Sequence, residues 1–162
     1  MHPTTSDARW RTIDVPGCWT RQGTGDLPHY TNIVMPWPDT EAPYTPPENP
    51  TGLHRTKFSV PRAWRNRDVI VHLGGAESVA IVWCNGTFVG MGKDSRLPSE
   101  FDLTPHLVSG TNLLAVMVIR YSDATWIEDQ DHWWHAGLHR PVHLEARGLS
   151  LIHISEPTRR TI

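Results

Sequence analysis

Val82-Trp83-Cys84-Asn85-Gly86-Thr87-Phe88-Val89 sets an Asn-Gly pair between two short runs of β-branched, aromatic and apolar residues. Asn-Gly tolerates the positive φ angles of a two-residue type I′ turn, so the stretch reads as a β-hairpin. The same grammar recurs along the chain. Short apolar-alternating runs end at Gly, Pro, Asn or Asp, which predicts strands over Trp10–Val15, His54–Val60, Asp68–Leu73, Val79–Cys84, Thr87–Gly90, Ser99–Asp102, Leu113–Arg120 and Val142–Glu145. Only Asp102–Leu107 suggests a helical turn. In Leu113-Leu114-Ala115-Val116-Met117-Val118-Ile119 the apolar run is unbroken, as in a central or sandwich-core strand. The fold class is therefore all-β, a sandwich or barrel.

The chain has 162 residues, enough for one globular domain and too few for a second with its own core. Fifteen Lys and Arg against seventeen Asp and Glu give a formal charge of -2 with no basic block, which argues against nucleic acid or an anionic membrane as partner. No apolar run approaches the roughly 20 residues that span a bilayer, and residues 1–20 lack a signal-peptide layout, so a cytoplasmic protein is expected. Cys18 and Cys84 are expected to be free thiols. Pro36, Pro38, Pro43, Pro46, Pro47 and Pro50 exclude a central strand between Asn32 and Gly52 and predict an extended surface loop, of the kind kept for binding or for contact with a neighbouring domain.

Trp126-Ile127-Glu128-Asp129-Gln130-Asp131-His132-Trp133-Trp134 interleaves carboxylates with indoles. A sugar presents hydroxyls at its rim and C–H faces above and below, so acceptors beside flat apolar surfaces suit it; core tryptophans and a solvated acidic loop are the plainer reading. His132, His135 and His139 have ligand-like spacing, but Gly137 and the intervening Trp and Leu residues disfavour a transition-metal site, and a hard cation on Asp131 fits better. Glu128 with Asp131, or Asp94 with Glu100, would be the carboxylate pairs to examine for glycoside hydrolysis. Nucleophile-elbow, phosphate-loop and Cys-x-x-Cys motifs are missing. Asn85-Gly86-Thr87 matches the glycosylation pattern, which a tight hairpin in a chain without a secretion signal makes unfavourable.

Six motifs then occur in order: Tyr30-Thr31-Asn32, Glu48-Asn49-Pro50-Thr51-Gly52, Trp83-Cys84-Asn85-Gly86, Asp94-Ser95-Arg96-Leu97-Pro98-Ser99-Glu100-Phe101-Asp102, Leu114-Ala115-Val116-Met117-Val118 and Glu128-Asp129-Gln130-Asp131. Over roughly Trp10 to Gly148 the chain resembles the N-terminal sugar-binding domain of the glycoside hydrolase family 2 β-galactosidases, the bacterial lactose-cleaving type. The resemblance implies a jelly-roll β-sandwich over residues 1–148, lacking its first strand because the family's opening Leu-Asn-Gly-x-Trp is absent; an uncovered edge of this kind invites aggregation. It implies a parent enzyme that hydrolyses terminal β-galactosides through a covalent intermediate on a separate catalytic barrel, uses sodium and magnesium, and is a homo-oligomer. The fragment itself is expected to be inactive, to carry no catalytic residue and to need no cofactor.

The resemblance also assigns residues. Asn32 would contact galactosyl hydroxyls, Asp131 would bind galactose hydroxyls and a sodium ion, and Ile33 stands where the family places Val near the sugar. Asp94, Arg96 and Glu100 look like a structural turn network, and His135 would line the cleft. Leu149-Ser150-Leu151-Ile152-His153-Ile154-Ser155-Glu156-Pro157-Thr158-Arg159 does not continue the pattern and looks like a translated sequencing adapter, so residues 149–162 are expected to be a non-native tail. Another family 2 specificity, β-glucuronidase or β-mannosidase, and a non-catalytic carbohydrate-binding module are the alternatives.

Overall fold

The computed structural model describes residues 5–31 and 34–148. Asn32, Ile33 and the tail at 149–162 lie outside the described residues. In chain order the strands are β1 (Gly17–Cys18), β2 (His29–Thr31), β3 (Thr51–Ser59), β4 (Asp68–Leu73), β5 (Val79–Cys84), β6 (Thr87–Lys93), β7 (Ser99–Asp102), β8 (Thr111–Ile119), β9 (His132–Trp134), β10 (Gly137–Leu138) and β11 (Val142–Arg147). Single 3₁₀ turns lie at Trp19–Arg21, Arg62–Trp64, Thr104–His106 and Asp123–Trp126. Among the described residues no helix is long and apolar enough to cross a membrane.

A four-stranded sheet, β3-β8-β5-β6, faces a three-stranded sheet, β11-β4-β7, and every pairing is antiparallel. Alternation decides which side chains meet between them. Val69, Val71 and Leu73 of β4, Ala80, Val82 and Cys84 of β5, and Leu114, Val116 and Val118 of β8 are all buried. Each such Val or Leu contributes about 1.5–3 kcal/mol by leaving water. The unbroken apolar run of β8 is explained by its central place between β3 and β5; the all-β fold expected from the alternation is found, in the sandwich form that the resemblance implies.

The hairpin joins β5 to β6, with φ of 51° at Asn85 and 86° at Gly86 as a type I′ turn requires. Asn85 does more than turn. Its amide nitrogen donates to the His106 carbonyl and to Asn112 Oδ1, both at 2.8 Å, and its oxygen accepts from the Leu113 amide at 2.9 Å. An amide so engaged is a structural clamp rather than a glycan acceptor. β6 runs on to Lys93, past the Gly90 where the sequence predicts its end, because Met91, Gly92 and Lys93 pair with Ile81, Ala80 and Val79 of β5; Gly90 itself passes under the Phe101 ring, where an added Cβ would lie 2.6 Å from a ring carbon.

Trp10–Val15, predicted as a strand, forms none. It is tied to nearby loop groups instead of a neighbouring strand: the Asp14 amide donates to Gln22 Oε1 at 2.8 Å, the Asp14 carbonyl accepts from Gln22 Nε2 at 3.1 Å, and the Arg11 guanidinium donates to the carbonyls of Gln22 and Gly23. Cys18 and Cys84 are free thiols, as expected, and burial pushes both above the ordinary thiol range. Behind β8 the buried Arg120 guanidinium pairs with Asp26 and donates to the Leu27 carbonyl at 2.9 Å, while Trp19 Nε1 donates to Asp26 at 2.6 Å. This cluster fixes the segment that leads into β2.

Candidate functional site

Two short ribbons flank the sandwich, β1 with β10 and β2 with β9. In the second, Tyr30 stands opposite Trp133 and Thr31 opposite His132. This register brings the Tyr30 hydroxyl to the carboxylate of Asp131, to which it donates. The Tyr30 and Trp133 rings meet at 5.5 Å with a 57° tilt, and both are more than half exposed. Asp131 is exposed as well. An acceptor beside two aromatic faces is thus presented to solvent. The hydrogen bond and the negative charge of Asp131 hold the Tyr30 phenol above its usual range.

The other acids of the run have different tasks. Glu128 accepts from the Ser95 amide at 3.0 Å and the Ser95 hydroxyl at 2.5 Å, and Asp129 accepts from Trp134 Nε1 at 3.0 Å. Asp94 accepts from the amides of Arg96 and Leu97, both at 2.8 Å, and these bonds lower its pKa. Glu100 sits on β7, where Arg147 and His72 hold it down to about 2. Neither candidate carboxylate pair is therefore poised across a cleft. The expected Asp94, Arg96 and Glu100 network is in fact two networks, because the Arg96 guanidinium turns away from both acids.

Arg96 instead donates to the buried Glu77 at 3.1 Å and to His132 Nε2 at 3.2 Å, which leaves His132 Nδ1 to donate to the Trp133 carbonyl at 3.0 Å. Arg140 donates to the Arg96 carbonyl at 2.9 Å. Burial raises the Glu77 pKa against the opposing pull of Arg96. A buried acid, an arginine and a histidine thus brace β9 directly behind Asp131. Nothing in the local sequence marks Glu77 as part of this brace, since it lies far from the acidic run and becomes adjacent only through the sheets.

His135 Nδ1 lies 3.3 Å from Thr20 Oγ1, and its pKa is lowered by burial and by Arg21, Arg120 and Arg96. Among the described residues, His132, His135 and His139 do not form a ligand cluster.

The proline-rich segment closes the other side. Trp37 meets Tyr121 edge-on at 4.5 Å and Trp126 at 5.9 Å, and its ring lies 5.8 Å from Trp134. The Asn49 side chain exchanges two 2.9 Å hydrogen bonds with the Tyr121 backbone, and Trp126 Nε1 donates to the Tyr44 carbonyl at 2.9 Å. Side-chain clamps hold this segment where the prolines preclude a strand ladder. Asn32 and Ile33, the other expected sugar contacts, lie outside the described residues; Thr31, their neighbour in the chain, pairs with the residue that follows Asp131. A groove of about 660 Å³ among the described residues lies elsewhere, between the segment around Trp10 and Ile13 and the residues Leu53, Leu114 and Val116. Core residues Leu114, Val116 and Leu138 line it together with Asp7, Arg11, Asp14 and Arg55, and Asp131 takes no part in it.

The family model described as "Glycosyl hydrolases family 2, sugar binding domain" matches residues 2–147. The chain is 47% identical over 143 residues to a β-galactosidase of Psychromonas ingrahamii, an alignment covering 88% of this chain and 14% of that protein. It is 49% identical over 140 residues to a β-galactosidase of Vibrio vulnificus, covering 86% and 13%. Among solved structures it is similar to a β-glucuronidase of Bacteroides uniformis, with a TM-score of 0.67 at 24% identity over 90% of this chain and 15% of that one, a likeness that speaks to the fold alone. The chain thus spans about 14% of the length of the curated relatives it matches.

Proposed function

Because the chain belongs to the sugar-binding domain family of the family 2 glycosyl hydrolases, we propose that it is the N-terminal sugar-binding part of a β-galactosidase. The parent hydrolyses terminal non-reducing β-D-galactose residues of lactose-like β-galactosides with retention of configuration, in the cytoplasm and as a homo-oligomer. The two catalytic carboxylates of such a mechanism lie about 5–5.5 Å apart. The engagement of Glu128 with Ser95 and of Glu100 with Arg147 supports a reading in which other domains of the parent supply the catalytic pair and the fragment alone does not turn over.

The observation that carries this reading is the exposed Asp131 carboxylate beside Tyr30 and Trp133. Ionised Asp is an acceptor only, suited to sugar hydroxyls, and its hard oxygen also suits a sodium ion. Asp131 is the residue of this chain that would hold the sodium; a bound cation there adds positive charge beside the substrate hydroxyls. Asn32, with donor and acceptor on one amide, serves a vicinal diol, and Ile33 supplies an apolar wall. Magnesium belongs to the parent. The two β-galactosidases at 47% and 49% identity favour galactose over glucuronic acid or mannose as the glycone.

A substrate panel tests the proposal: the complete reading frame, expressed and purified, is assayed on chromogenic β-galactoside, β-glucuronide and β-mannoside. Preference for the galactoside is expected. Preference for either of the others, or a reading frame that encodes no catalytic domain, would overturn it.

A further inference from the structure

The outer face of the β11-β4-β7 sheet carries a second cluster of chemical groups, on strands that take no part in the ribbon at Asp131. Val69, Val71 and Leu73 of β4 fill the core, so His72 points the other way. Register then places His143 of β11 and Glu100 of β7 on either side of His72 in one cross-strand row, with Glu145 two residues from His143 on the same face. The two imidazoles stack with centroids 4.7 Å apart and planes at 28°. His143 Nε2 lies 3.0 Å from Glu145 Oε1, and His72 Nδ1 lies 3.1 Å from Glu100 Oε1. One ligand atom from each of His72, His143 and Glu145 falls within 4.8 Å of the others.

Two imidazole nitrogens and a carboxylate oxygen form a donor set that zinc and its neighbours in the first transition row accept, and that calcium and magnesium do not favour. Tetrahedral zinc, with ligand bonds near 2.0–2.2 Å, separates its ligand atoms by about 3.3 Å. The 3.0 Å spacing of His143 and Glu145 is close to that bite, and side-chain rotation alone brings His72 in from within 4.8 Å. We propose that His72, His143 and Glu145 form a surface site for a divalent transition-metal ion of the zinc type, with Glu100 within reach of His72 as a further oxygen donor.

Arg147 is the built-in competitor. It donates to Glu145 Oε2 through Nε at 3.1 Å and Nη2 at 2.8 Å, and to both oxygens of Glu100. Glu145 therefore divides its carboxylate, one oxygen to the guanidinium and the other to His143. A bound ion takes the histidine-facing oxygen and places its charge near Arg147, so removing the guanidinium should strengthen metal binding. Metal bridging β11 to β4 should also stabilise the fold, since the ion binds the native arrangement and not the separated strands.

Titration calorimetry of the chelator-treated 162-residue chain with zinc sulfate tests the site, with thermal melts and circular dichroism on each variant. One equivalent of saturable uptake is expected, accompanied by a rise in melting temperature. His72→Ala, His143→Ala and Glu145→Gln should each weaken it by about 10–100-fold or more, the range already seen for loss of groups that only orient a ligand. His106→Ala, outside the cluster, should leave it unchanged, and Arg147→Met should tighten it. Glu145→Gln is nearly isosteric on a half-exposed side chain, so its result stands even where a histidine variant fails to fold. Absence of saturable uptake, or uptake that survives Glu145→Gln or loss of both histidines, would overturn the proposal.

Discussion

The Tyr30 hydroxyl donates to the Asp131 carboxylate, tying together two residues 101 positions apart at the β2–β9 ribbon. Deprotonating the phenol would remove the donor and set two negative charges side by side. Spectrophotometric titration should therefore place the Tyr30 midpoint above the ordinary value of 10.0, and Asp131→Asn should bring it down. A raised folded-state pKa contributes stability that is complete below the unfolded value and is lost as pH rises through the folded one. A Tyr30 midpoint unmoved by Asp131→Asn would show that the bond does not persist in solution.

In the complete enzyme, Asp131→Asn should lower kcat/KM at least about tenfold, equivalent to roughly 1.4 kcal/mol of transition-state stabilisation, with little change in melting temperature. The carboxylate is exposed, and so is Tyr30, which donates to it. Asp94→Ala should behave oppositely, leaving the rate nearly intact and costing about 1 kcal/mol of stability, because two turn amides lose their acceptor. Measuring both variants by steady-state kinetics and by thermal melts separates the two roles; a rate loss at unchanged stability for Asp94→Ala would reverse the assignment.

Asp26→Ala should destabilise the chain by about 3–5 kcal/mol, far more than a surface ion pair is worth. Arg120 is 2% exposed and cannot turn to water when its partner is removed. Trp19 loses an acceptor in the same change. Urea unfolding of the variant against wild type gives the number, and a loss under 1 kcal/mol would mean that solvent reaches the guanidinium.

Hydrophobic alternation revealed the sandwich because it is a local property: Asp68–Leu73, Val79–Cys84 and Ser99–Asp102 carry their strand boundaries in their own residues. The ribbons at the site carry no such signal. Gly17–Cys18 and Gly137–Leu138 are two residues each, and His29–Thr31 and His132–Trp134 three, so distant pairing creates them rather than propensity. Trp10–Val15 errs the other way, alternating like a strand while its backbone is held by Gln22. The same limit governs the site. Asp131 was legible from its motif, and the aromatic run announced Trp133. Glu77 was not, since only the sheets bring it within 3.1 Å of Arg96.

Glu77 leads to a last prediction, on pH. Its carboxyl is buried and its pKa is raised, with burial outweighing the attraction of Arg96. The native state thus holds the Glu77 proton more tightly than the unfolded chain does. Its contribution to stability is complete below the unfolded value of about 4.5 and declines as pH rises through the higher folded value. Glu77→Gln keeps the shape and an acceptor for Arg96 but cannot ionise. The variant should therefore gain on the wild type as pH rises from 4.5, whatever pH-independent offset the lost charge opposite Arg96 adds. Urea unfolding of both proteins at several pH values measures the difference directly. If the wild type instead gains on the variant as pH rises, the Arg96 pairing outweighs the burial and holds the Glu77 carboxyl below, not above, its unfolded value.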